Sequence, residues 1–143
     1  MNKKALFSLL ICCSPATFAG TFYGVDFSGV YECTGMDAKN GPFRGRLELS
    51  LNNEHSRREF GAYDIIFDGG DAGKYSGMAV SSAKTMSMYF SHEDKSTRDN
   101  GVGIFTMSEM TKGKRKMDKF YYQSEYAGGN TGVEECSEIN TAT

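Results

Sequence analysis

From Phe43 to Leu51 apolar and charged residues alternate without a break. Phe43, Gly45, Leu47, Leu49 and Leu51 fall on one face of an extended chain, and Arg44, Arg46, Glu48 and Ser50 on the other. A period of two marks a β-strand with one buried and one wet face. The same reading places Tyr31 and Cys33 opposite Val30, Glu32 and Thr34 in a first strand over Gly29–Thr34, ahead of a loop from Gly35 to Pro42. Further strands are predicted over Phe60–Phe67, Lys74–Val80, Lys84–Ser91, Gly101–Ser108 and Lys116–Gln123, and Phe22–Phe27 is a possible eighth. Polar stretches separate them: Asn52–Glu59, the turn formers Asp68-Gly69-Gly70-Asp71, and the charged loop Asp94–Asn100. A glycine-rich tail returns Cys136 to the body of the fold. Short strands in sequence, with no helical stretch between them, predict an all-β domain. The fold class is a small antiparallel up-and-down barrel of seven or eight strands, with a sandwich as second choice. Leu47, Leu49, Ile65, Met86 and Phe90 would line its interior, and Met86, Met88 and Phe90 share one face.

The first residues follow a different pattern. Lys3 and Lys4 precede the apolar run Ala5–Cys13, Pro15 breaks it, and Thr17 and Ala19 put small residues at −3 and −1 before Gly20. That is the order of a cleaved export signal over residues 1–19, leaving one domain over residues 20–143. The run is about half the roughly 20 residues of a spanning helix, and no later segment is more apolar, so no membrane span is expected. Cys12 and Cys13 follow Ile11 rather than a small residue and read as part of the signal. Loss of Lys3 and Lys4 takes the formal charge from −2 to −4, which disfavours nucleic acid as a partner. Cys33 and Cys136 are then the two remaining cysteines. In an oxidising compartment they predict a disulfide closing the chain, against the alternative of two free buried thiols.

Candidate chemistry is sparse. His55 and His92 lie in polar stretches, no G-x-S-x-G is present, and the paired cysteines leave no thiol nucleophile. His92-Glu93-Asp94 with Asp99, or Asp68 with Asp71, lack calcium-loop spacing and read as turns. Met78, Met86, Met88 and Met107 read as core filling rather than a soft-metal site. Lys112, Lys114, Arg115 and Lys116 read as a solvated hairpin tip. No catalytic residue, metal or cofactor is expected. The C-terminal aromatics stand out: of Tyr121 and Tyr122 one must point inward and one outward, and Tyr126 leads into Gly128, Gly129 and Gly132. Exposed tyrosines beside a glycine loop suit recognition, so Tyr122, Tyr126 and these glycines are the first candidates for partner binding.

Tyr31-Glu32-Cys33 on an early strand, Cys136 near the C-terminus, the export signal and the barrel pattern resemble the small periplasmic inhibitors of c-type lysozyme. The resemblance lies in the layout of the chain. Those inhibitors carry a Ser-Gly-x-x-Tyr-like segment; Ser76 and Gly77 match its start, and Val80 stands where the tyrosine would be. It implies a partner-binding role for Ser76 and Gly77. Together these features predict a non-enzymatic exported binding module, periplasmic or secreted, whose partner is another protein. The alternatives are a barrel that carries a small apolar ligand, and a hydrolase with an unrecognised site.

Overall fold

The computed structural model describes residues 21–109 and 113–141, and within them the alternating segments become eight antiparallel strands. They are β1 (Gly29–Asp37), β2 (Gly41–Leu51), β3 (Phe60–Asp68), β4 (Lys74–Ser82), β5 (Thr85–His92), β6 (Asn100–Glu109), β7 (Arg115–Gln123) and β8 (Asn130–Thr141). Each strand pairs with the next, and β1 pairs with β8, so the sheet closes into an up-and-down barrel. Closure leaves no unpaired edge. The export signal predicted over residues 1–19, and Lys112 of the basic run, lie outside the described residues.

Leu47, Leu49, Ile65, Met86 and Phe90 are buried inside as their alternation requires, together with Phe105, Met107 and Met117. Cys33 and Cys136 face each other directly across the β1–β8 seam, with Cα atoms 4.0 Å apart, and form the predicted disulfide in the interior.

Three expectations about the strands are corrected. The glycine-rich tail is not a tail: from Asn130 onward it is β8, which supplies the eighth strand. Phe22–Phe27 makes only an isolated bridge from Phe22 to Arg58 and instead straps the end of the barrel. Its backbone receives the Tyr31 hydroxyl at Phe27 O (2.8 Å) and the Tyr63 hydroxyl at Val25 O (3.1 Å). Third, the loop expected over Gly35–Pro42 shrinks to Ala38–Asn40, because β1 and β2 both run on.

The strap closes one end. The strand connections Ala38–Asn40, Gly69–Gly73, Glu93–Asp99 and Ser124–Gly129 meet at the other end, called the mouth below. Arg115 belongs to the closed end and is no solvated tip. Its guanidinium is bonded to Glu138 (2.6 Å) and to the backbone oxygens of Ser28 (2.9 Å) and Asp26.

Candidate functional site

Just inside the mouth, five aromatic side chains from five strands form a closed collar. Going round, Phe43, Phe67, Tyr75, Phe90 and Tyr121 have neighbouring ring centroids 6.3, 6.1, 6.0 and 5.8 Å apart, and Tyr121 returns to Phe43 at 6.4 Å. All are edge-to-face or tilted contacts, the arrangement the ring quadrupole favours. Glycines seat the rings. A Cβ on Gly132 would lie 2.2 Å from the Tyr121 ring, one on Gly45 2.2 Å from Phe67, and one on Gly35 2.4 Å from Phe43. Gly132 and Gly35 are the direct cross-strand partners of Tyr121 and Phe43. These glycines are within strands, and their purpose is room rather than turning.

Polar side chains run inward beside the collar. Tyr121 donates its hydroxyl to Asp37 (2.7 Å), and Asn130 Nδ2 donates to Asp37 (2.7 Å) and to Gln123 Oε1 (2.6 Å). Gln123 Nε2 donates to Asp99, which also accepts the Tyr75 hydroxyl (2.7 Å). One continuous hydrogen-bonded chain thus links the two collar tyrosines through side chains of β1, β7, β8 and the β5–β6 connection. Burial alone would raise the Asp37 carboxyl. Donation by Asn130 and Tyr121, and by the backbone amides of Asn40 and Lys39, outweighs it and holds Asp37 below the ordinary carboxylate range. Burial, reinforced by the bonds to Asp37 and Asp99, pushes the Tyr121 and Tyr75 hydroxyls well above theirs.

Lys119 and Glu134 lie deeper, with side chains 7% and 1% exposed, and form an ion pair. The ammonium is 5.4 Å from the centroid of Phe67, 5.7 Å from Phe90, 5.3 Å from Tyr121 and 5.4 Å from Phe105. It therefore occupies the aromatic collar as a cation–π guest of the protein itself. A cavity of about 90 Å³ surrounds this pair and reaches Asn40 and Ala72 of the mouth connections.

The outside of the barrel has two unlike walls. On β1–β3 the outward residues include Glu32, Arg44, Arg46, Glu48 and Asp64. On β4–β6, beyond Lys74 at the mouth end of β4, they are Ser76, Met78, Val80, Ser82, Thr85, Ser87, Tyr89, Val102, Ile104, Thr106 and Ser108, all exposed and none of them charged. In a chain that is 24% charged this is a marked departure. Direct cross-strand pairing lines up Met78, Tyr89, Val102 and Tyr122 in one row, and Ile104, Phe120, Val133 and Met36 in another.

The residues singled out from the sequence divide between these places. Tyr122 points outward into the uncharged wall, 46% exposed, while its neighbour Tyr121 is the collar ring. Tyr126 lies at the mouth, where its hydroxyl accepts from Asn40 Nδ2 (3.2 Å). Gly128 and Gly129, at φ +77° and +105°, turn the chain there. Ser76 faces out on β4 and Gly77 faces in, against Phe90. Met78 is outside, 64% exposed, whereas Met86, Met88 and Met107 are core. His92 is the last residue of β5 rather than part of a loop, and its ring packs on Tyr75 at 5.0 Å. His55 is exposed. Asp99 is turned into the barrel and away from His92-Glu93-Asp94, so the metal grouping weighed from the sequence is not assembled. Lys119, Glu134, Asp37, Gln123 and Asn130 were not anticipated.

Comparison with protein families, curated proteins and solved structures finds no match.

The interior carboxyls and hydroxyls set an expected pH profile. The Arg115 bond holds Glu138 below its ordinary range, as donors do for Asp37. Groups lowered on folding stabilise above their unfolded pKa and lose that contribution as pH falls through about 4 and below. Tyr31, Tyr75 and Tyr121 are raised, chiefly by burial, so their contribution is lost as pH rises past about 10. Urea unfolding of the oxidised protein is expected to show a plateau between these limits. A midpoint that stays constant from about pH 5 down to about pH 3 contradicts the assignment.

Proposed function

We propose that the protein is an exported, non-enzymatic binding module whose partner is another protein seated on the charge-poor, apolar outer face of β4–β7. One observation carries the reading: two cross-strand rows of half-exposed Met, Tyr, Val, Ile and Phe side chains, set among serines and threonines, with no charged outward residue on β4–β6 from Ser76 to Ser108. Interface centres are depleted of charge and enriched in aromatic residues and methionine. Six of the eight row residues lie on β4–β7, and Val133 and Met36 continue the second row onto β8 and β1. All eight are about half exposed, and their patch serves as the centre of an interface whose standard size is roughly 800 Å² per partner. Tyr122 lies in the first row, between Val102 and Thr131. The export pattern over residues 1–19 and the interior disulfide support an extracytoplasmic setting. The Tyr-x-Cys layout makes a lysozyme the first partner class to try.

The test is capture by the immobilised, oxidised protein from periplasmic extract and from a panel of lysozymes. Val102→Lys/Tyr122→Lys is compared with Arg44→Ser/Arg46→Ser on the charged wall. A partner held by the native protein and by the charged-wall variant, and released at least tenfold more readily by the β6–β7 variant, is the expected result. A partner lost only with Arg44 and Arg46, or no partner at all, overturns it. The cavity behind the collar favours a second reading, a carrier of a small molecule.

A further inference from the structure

We infer that the barrel interior is a binding site for a small uncharged molecule with an apolar body and one acceptor oxygen, a ketone or an alcohol. The inference deepens the carrier reading and is independent of the outer wall.

The argument begins with the hydrogen-bonding capacity of Lys119. An ammonium has three N–H donors. Among the described residues this one has a single oxygen partner, Glu134, and its remaining surroundings are aromatic rings and the cavity. The cavity is the side from which its other N–H groups can be met, and an acceptor oxygen placed there would receive one of them. By contrast, Asp37 and Asp99 at the rim are already supplied with donors, four to the first and two to the second. They need nothing from a guest.

The charges then restrict what can enter. The cavity wall holds Lys119 with the carboxylates of Asp37, Asp99 and Glu134. Three carboxylates against one ammonium make the lining net negative and oppose an anion, while a cation seated against the rings would meet the Lys119 ammonium that already occupies them. A neutral dipole escapes both, with its oxygen toward Lys119 and its carbon body against Leu47, Ile65 and Met88. Size sets the last limit. About 90 Å³ is well below the roughly 150 Å³ of a cavity that takes benzene. The guest is therefore smaller than benzene, with about four or five non-hydrogen atoms.

The probes are butanone, butyrate and butylamine, which share a four-carbon body and differ in charge. Each is titrated into the oxidised protein while the backbone amide resonances of Gly101, Gly103 and Gly132, on the strands beside the collar, are followed by NMR. Butanone is expected to shift them saturably, and both charged probes to bind at least tenfold more weakly. Lys119→Met should weaken butanone about tenfold or more. Lys119→Met/Glu134→Gln, which leaves no unpaired charge, should do the same and serves if the single variant does not fold. No saturable shift with butanone, tighter binding of either charged probe, or unchanged butanone affinity in the double variant overturns the inference. None of these results bears on the partner surface of β4–β7.

Discussion

Replacing Lys119 by methionine is expected to destabilise the barrel by about 3–5 kcal/mol, the usual cost of removing one member of a buried ion pair. Methionine keeps an unbranched stem of similar reach, so the packing against Phe67, Phe90 and Phe105 is disturbed little. What remains is Glu134, with its side chain 1% exposed and its partner gone. Adding Glu134→Gln removes that uncompensated charge and should recover at least half of the loss. The pair then shows a large positive coupling in a double-mutant cycle. Urea unfolding with the disulfide intact measures all four corners. Additive costs, or a single-variant cost below about 1 kcal/mol, mean that the two charges are effectively solvated and do not depend on each other.

The second large effect is expected at the seam. The Cys33→Ala/Cys136→Ala variant should lose about 4–5 kcal/mol, the value the loop-entropy argument assigns to a loop of about 100 residues; the separation here is 103 residues. Pairing of β1 with β8 joins the most distant parts of the sequence, so it is the contact whose closure costs the unfolded chain the most entropy. A small domain has only about 5–15 kcal/mol in total. The uncrosslinked barrel should therefore be marginal, with a clearly lower melting temperature, and reduction of the native protein should reproduce the effect. A loss under about 1 kcal/mol points to a denatured state that already keeps the two strands together.

Strands β1–β7 were legible because their inward residues are mostly apolar and their outward ones mostly polar. Phe43–Leu51 is the clearest case. β8 was not, because its alternation is inverted. Asn130, Glu134 and Glu138 point in with Gly132 and Cys136, while Val133 points out. The end of β7 is inverted too, with Lys119 and Gln123 inside and Phe120 and Tyr122 outside. Polar residues can occupy a core only when partners satisfy them. Those partners, Asp37 for Asn130 and Glu134 for Lys119, lie on other strands and cannot be read from one segment. A parity argument was nevertheless available. A disulfide in the interior fixes Cys136 inward, and counting back by twos puts Glu134, Gly132 and Asn130 on the same face. The tyrosine pair was recognised as one-in, one-out, but the sequence did not say that the inner ring would belong to a collar. The neutrality of the outer wall was likewise open to inspection on β5 and β6. It becomes a feature only once closure brings β4–β7 side by side.

The seam also determines how the molecule responds to force. Gly29 and Thr141 are paired at the closed end, so a pull between these two residues opens β1 from β8 like a zipper, one residue pair at a time. The tear passes Val30, Tyr31 and Glu32 and then meets the covalent link between Cys33 and Cys136. Beyond that link lie Gly35 and Asp37, and opposite them Glu134 and Gly132, which hold the inner ion pair and the aromatic collar. Tension or fraying at the ends is thus stopped before it reaches the mouth. An attachment at either end leaves the cavity intact and facing away from it.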